Sequence, residues 1–210
     1  MSGSIQNKAL VFFDIDGTLI DEHRQVPASA AKAIRQLRQN GHLAFINTGR
    51  SYAGIHPEIK DVGFDGIVAA NGTWIQYQGE LLHNTTIDPR LLAQILPIVE
   101  QSEIDFWMEG PEHVYFERLV NPPAHVAHFI DVFSVLPGVN RDWHQGPIVT
   151  NKMSYHLRPE SRLEPALSLL RRHFTVVQKD PDPYGEVIPS GYSKATGMIF
   201  LLEHLGFSQE

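Results

Sequence analysis

Ala9-Leu10-Val11-Phe12-Phe13-Asp14-Ile15-Asp16-Gly17-Thr18-Leu19 joins an apolar run to a pair of carboxylates. Its first half is a short apolar run, the pattern of a strand buried in a parallel sheet. Its second half puts two carboxylates where that strand ends. Alternate residues of an extended chain share a face, so Asp14 and Asp16 point one way and Ile15 the other. Gly17 lets the chain break away, and Thr18 can bond nearby backbone. Two acids at the carboxyl end of a parallel strand suit a metal ion, a nucleophile and a proton donor. Ligands of open α/β sheets bind at that end.

Downstream of this stretch, strand and helix signals alternate. Pro27 opens a helix in which Ala30, Ala31, Ile34 and Leu37 recur at helical spacing, and Gly41 closes it. Leu43–Ile46 is a second apolar strand, ending at Asn47-Thr48-Gly49-Arg50. A helix over Ser51–Lys60 and a third strand over Gly66–Ala70, ending at Asn71-Gly72, complete the series. Strand, helix, strand, helix, strand at this spacing predicts βαβ units and an α/β fold with a doubly wound sheet. Thr73–Leu82 alternates around Gly79 and reads as a hairpin.

The texture changes over residues 83–185. Helical stretches near Leu91–Gln101, Pro123–Val135 and Leu163–His173 are separated by strand-like pieces. The strands Ile104–Met108, His113–Phe116, Lys152–Leu157 and Phe174–Gln178 alternate apolar and polar residues, which predicts an antiparallel sheet with one covered face. This is a second, α+β unit inserted into the first. The first unit is expected to comprise residues 1–82 and 186–210, returning at Glu186-Val187-Ile188-Pro189-Ser190-Gly191-Tyr192-Ser193-Lys194. A helix follows, with Ala195, Met198, Ile199, Leu202 and Leu205 apolar and Gly206 at its end.

Bulk properties narrow the function. A formal charge of −7 argues against a nucleic-acid surface. An acidic protein that binds phosphate must gather positive charge locally. Cysteine is absent, which excludes disulfides and Cys-based zinc sites. The polar start Met1-Ser2-Gly3-Ser4-Ile5-Gln6-Asn7-Lys8 is not expected to act as a signal peptide, and no apolar stretch reaches membrane-spanning length. The expectation is a cytoplasmic protein that binds neither nucleic acid nor membrane. His125 and His128 could share a helix face, but with no carboxylate at metal-site spacing they read as surface residues.

The string around Asp14 resembles motif I of the haloacid dehalogenase superfamily of phosphotransferases. The resemblance implies that Asp14 is the nucleophile and becomes an aspartyl-phosphate. It implies that Asp16 is the general acid/base, and that Asp14 and the Asp16 carbonyl bind Mg²⁺. Asn47-Thr48-Gly49-Arg50 resembles motif II, in which Thr48 would hydrogen-bond the transferred phosphoryl group, with Gly17, Gly49 and Arg50 near the phosphate. Glu186–Ala195 resembles motif III of the branch known as Cof-type hydrolases, in which Lys194 neutralises the phosphate and the nucleophile. Asn71-Gly72 matches that branch after the third strand and places Asn71 at the pocket rim.

In that branch the inserted unit is a cap over the site. It would choose the leaving group, with Glu109, His113, Tyr115 and Arg118 as candidate contacts. Family members continue to a further strand and a Gly-Asp-Gly-x-Asn-Asp-like segment that completes the metal site. No such segment follows Gly206, so an incomplete core is expected, and Asp180 and Asp182 lie in the wrong place to replace it. The strand carrying Asp14 would then keep an unpaired edge, which a second copy could cover in a homo-oligomer.

The expected activity is Mg²⁺-dependent hydrolysis of a small phosphorylated metabolite, with sugar phosphates as the expected class. Two alternatives stay open. One is a catalytically impaired phosphate-binding or truncated protein. The other is a phosphomutase, since related mutases carry a similar string.

Overall fold

The computed structural model describes residues 8–117, 119–178 and 183–208. The chain divides into two compact units. One comprises residues up to Gly49, His56–Asn84 and Tyr192 onward, and the other Arg50–Ile55 and Thr85–Gly191. The architecture is α/β, a Rossmann-like unit with an inserted α+β unit. No described helix is long and apolar enough to cross a membrane.

The first unit holds strands β1 (Leu10–Phe13), β2 (Leu43–Asn47), β3 (Gly66–Ala69), β4 (Trp74–Tyr77) and β5 (Glu80–Asn84) in that spatial order. β1, β2 and β3 are parallel, and β4 and β5 return as the expected hairpin. Between them lie α1 (Ala28–Gln39) and α2 (Pro57–Lys60), and α6 (Lys194–Leu205) closes the unit. β2 is buried throughout because both its faces are covered. Leu43 and Phe45 join Val68, Ile75 and Leu201 in one cluster, which places α6 against that face. β1 stands at the edge of the sheet, and all four of its residues are half-buried.

The helix expected over Ser51–Lys60 is not continuous. A tight turn at Tyr52–Gly54 and the short α2 replace it. Pro57 explains the break, because the residue before a proline is pushed out of the helical region, and His56 has φ −58° and ψ 139°.

The second unit is built on a six-stranded sheet. Its strands are β6 (Asp105–Glu109), β7 (Val114–Phe116), β8 (Asn140–Asp142), β9 (Lys152–His156), β10 (Phe174–Gln178) and β11 (Tyr184–Pro189), ordered β10-β11-β9-β6-β7-β8. Its helices are α3 (Pro89–Gln101), α4 (Ala124–Val132) and α5 (Leu163–Leu170). All strand pairs are antiparallel except β7 with β8.

Two readings change here. β6 and β7 are buried along their whole length, so this sheet has two covered faces in its centre, where one was expected. Phe106, Met108, Tyr115, Met153 and Tyr155 pack with α3 and α5 on one face. Trp107, Val114 and Phe116 pack with Val126, Phe133 and Ala53 on the other. The expected return to the first unit at residue 186 also falls later, at Tyr192. Tyr184–Pro189 pairs with both β9 and β10, and Val187 is fully buried in the second core.

Candidate active site

β1 delivers Asp14 at its carboxyl end, where the strand runs out into a wide turn. Ile20 N–H closes the turn on the Ile15 carbonyl at 3.3 Å, and Gly17 supplies the required left-handed residue at φ 72°. Ile15 is fully buried beneath the turn, while Asp16, Gly17 and Thr18 are exposed. The carboxylate of Asp14 has two partners. Oδ1 accepts the Ile15 N–H at 2.8 Å, and Oδ2 accepts from Lys194 Nζ at 2.6 Å. Both side chains of this ion pair are 37% exposed, so the pair lies open to a ligand.

Lys194 is the first residue of α6, and its position is set by a reciprocal cap. Ser193 Oγ accepts the Thr196 N–H at 3.1 Å, and Thr196 Oγ1 accepts the Ser193 N–H at 2.9 Å. Asn47, the last residue of β2, donates its side-chain amide to the Lys194 carbonyl at 3.3 Å. The end of β2 and the start of α6 are thereby joined directly.

Thr48 follows and is fully buried, with its N–H donating to the Val68 carbonyl at 2.9 Å. Its own carbonyl accepts the Asn71 N–H at 3.1 Å. Asn71 is buried and sits at φ 54°. Gly49 ends this unit's segment. Arg50 belongs to the second unit, where its guanidinium donates to the Gly54 carbonyl at 3.3 Å across the tight turn. In the first unit, then, Asp14 and Lys194 meet directly, and Thr48 and Asn71 meet through their backbone. Among the described residues, no group of three or more His, Cys, Asp and Glu side chains is arranged to hold a metal ion.

A profile of the haloacid dehalogenase-like hydrolases matches residues 11–210. The chain belongs to this family. The Bacillus subtilis protein YkrA is 24% identical over 94% of this chain and 75% of its own length. The HMP-PP phosphatase of Serratia proteamaculans is 25% identical over 94% of this chain and 73% of its own. The solved structure of BT4131, described as a sugar phosphatase of subclass IIB of the superfamily, superposes with a TM-score of 0.74 at 21% identity. That superposition covers 96% of this chain and 77% of BT4131. The chain is a phosphatase-type enzyme of this family, in its Cof-type branch.

The contacts expected in the second unit fall differently from one another. Glu109 is buried inside a polar network. It accepts from Ser154 Oγ at 2.6 Å and lies 3.5 Å from Lys152 Nζ. Lys152 also donates to Glu186 at 3.0 Å, and the Tyr184 hydroxyl donates to Glu186 at 3.0 Å. Tyr115 is buried in the apolar core and accepts the Val149 N–H at 3.3 Å. His113 is half-buried and packs edge-on to Tyr115. Arg118, Asp180 and Asp182 lie outside the described residues, as does the His125 side chain. His128 is exposed.

Sequence reasoning passed over Asn47, the Ser193–Thr196 cap and the Lys152 network. The cap was legible, because Ser193 stands two residues before Ala195, the first periodic apolar residue of the last helix. The others depend on partners far away in sequence.

Proposed function

We propose that the chain is a Mg²⁺-dependent phosphomonoester hydrolase acting on a small phosphorylated metabolite, with sugar phosphates as the substrate class. The observation that carries this reading is the 2.6 Å pair of Asp14 and Lys194 at the carboxyl end of β1. A carboxylate fixed by a backbone N–H on one oxygen and by an ammonium on the other is oriented for attack. The same ammonium, half-exposed, neutralises charge on a phosphoryl group brought to Asp14.

An Asp14 oxygen bonds to phosphorus while the bond from phosphorus to the leaving oxygen breaks. Asp16, exposed and one residue beyond the buried Ile15, gives its proton to the leaving oxygen. Water then attacks phosphorus, Asp16 takes the water proton, and the bond to Asp14 breaks to release inorganic phosphate. Thr48 and Lys194 hold the phosphoryl oxygens in both steps.

The donors present suit Mg²⁺, which selects hard oxygen ligands and keeps several waters. The Asp14 carboxylate and the Asp16 carbonyl are such donors, on residues open enough for water to complete the shell. The ion would neutralise phosphate charge and hold a phosphoryl oxygen against Asp14.

The test is initial-rate hydrolysis of an aryl phosphate and a panel of sugar phosphates, with Mg²⁺ and with chelator, beside Asp14→Asn. Turnover that requires both Mg²⁺ and Asp14 is expected. Rates equal to those of Asp14→Asn would overturn the reading. Transfer to a sugar hydroxyl in preference to water would make the chain a mutase.

A further inference from the structure

The turn after β3 runs through strained backbone. Ala70, Asn71 and Gly72 have φ of 47°, 54° and 88°, three consecutive left-handed residues. For alanine this conformation is costly, and it persists only where surrounding contacts over-determine it. Those contacts lie on two sides. On one side, Asn71 N–H donates to the Thr48 carbonyl at 3.1 Å, and the Thr73 hydroxyl donates to the Ala70 carbonyl at 2.8 Å. On the other, the turn meets the start of α6 backbone against backbone. A Cβ built on Gly72 would stand 2.5 Å from the Ser193 carbonyl oxygen. A Cβ built on Gly197 would stand 2.4 Å from Val68 Cγ1 and 3.1 Å from the Gly72 Cα. Neither position has room for a methyl group.

Ser193 and Gly197 bracket Lys194, and Gly197 N–H donates back to the Ser193 carbonyl at 3.1 Å. The first turn of α6 is thus a rigid unit resting on the strained turn. Moving it moves Lys194.

We propose that the Ala70-Asn71-Gly72 turn, through its backbone contact with Gly197, is the positioning element that fixes Lys194 and Thr48 relative to each other and sets the reach of Lys194 to Asp14. This rests on the reading above that those residues carry phosphoryl transfer. No side chain of the turn has to touch substrate. Its strain is spent on geometry. A misplacement on the order of 1 Å at a reacting group costs about 100-fold in rate, so a small shift of α6 is enough to be seen.

The decisive variant is Gly197→Ala, with Val68→Ala and Val68→Ala/Gly197→Ala beside it. Two readouts are taken on folded protein: kcat and KM on an aryl phosphate, and the rate at which an amine-reactive reagent labels Lys194, read by peptide mass spectrometry. Gly197→Ala is expected to lose about tenfold or more in kcat and to label Lys194 faster, because the ion pair with Asp14 is stretched. Removing the Val68 methyl groups relieves the 2.4 Å clash and leaves only the 3.1 Å approach to the Gly72 Cα, so the double variant should recover most of the way to Val68→Ala in both readouts. A purely structural role would lower the melting temperature without moving either.

Wild-type kcat and labelling in Gly197→Ala overturn the proposal. If Gly197→Ala does not fold, the double variant decides alone. Folded and active, it supports the proposal; unfolded, or folded with low kcat and fast labelling, it overturns it. Lys194→Ala is assayed in parallel. Full turnover there would sink the functional reading, while the labelling data would still report on the positioning.

Discussion

Asp14 shows how much one side chain owes to its neighbours. Its Oδ1 is held by the next amide of its own chain and its Oδ2 by a lysine 180 positions away. The first contact restricts the rotamer, and the second fixes where the charge of Lys194 sits. Removing that charge should leave the fold intact and the chemistry poor. Lys194→Met is expected to lower kcat by about 10²–10³-fold, in the range measured for losing one preorganised electrostatic contact. Steady-state kinetics with the melting temperature as control checks this, and a loss below threefold would contradict it. At this scale much of the candidate site is legible in the sequence. Asp14, Asp16, Thr48 and Lys194 stand at strand ends and a helix start that short apolar runs already mark. Asn47, Gly72 and Gly197 do not announce themselves. An amide that caps a distant helix and two glycines that touch across the fold look ordinary in the string, because their reason is a partner brought in by topology.

Among the elements, the second unit's sheet buries an ion pair at its centre. Lys152 and Glu109 are each 1% exposed, inside a network with Ser154, Tyr184 and Glu186. Breaking a buried pair leaves an uncompensated charge. Lys152→Met should therefore destabilise by about 3–5 kcal/mol in urea denaturation, while Lys152→Met/Glu109→Leu should recover most of it. The pair also sets a pH dependence. Burial alone would lower the Lys152 pKa, but Glu109, Tyr184 and Glu186 outweigh it and raise the value above the ordinary 10.5. Burial likewise raises the Tyr184 hydroxyl above 10.0. Both groups keep their protons in the folded state after the unfolded chain has begun to lose them. Their stabilisation is complete below about pH 10 and is lost as pH climbs through and above 10.5. Denaturation midpoints between pH 8 and 11 should fall in the wild type over the upper part of that range, and less in the double variant. The elements themselves were legible where run length and periodicity agree, as in β1, β2, β3, α1 and the hairpin. Residues 186–189 read as part of the first unit because Glu186-Val187-Ile188-Pro189 leads straight into the loop before Lys194. The membership of β11 is decided by ladders to β9 and β10, which local pattern does not show.

On the scale of the molecule, each unit has its own apolar core, and among the described residues no strand pairs with the outer edge of β1. Leu10, Val11, Phe12 and Phe13 are all half-buried there, with Phe12 stacked on Phe45 at 5.2 Å and Phe13 near Phe64 at 6.0 Å. A strand edge of this kind is a template for pairing. Sedimentation should show mass rising with concentration, and Val11→Lys should suppress the rise. A constant monomer mass in both proteins would contradict the homo-oligomer expectation. The α/β class with an inserted unit followed from the alternation of elements and from motif order. The two-sided burial of the second sheet did not, since it depends on α4 and the Arg50–Ile55 segment closing over a face that the strand sequences leave partly polar.

A phosphoryl group carried on Asp14 is a covalent species that can be trapped directly. The protein is mixed with a turned-over phosphate ester and Mg²⁺, quenched in acid within milliseconds to seconds, and mapped by peptide mass spectrometry. A transient phosphoryl group is expected on the peptide carrying Asp14, absent from Asp14→Asn and lengthened in lifetime by Asp16→Asn. Sustained turnover with no phosphoryl adduct, or with the adduct on another residue, would contradict it.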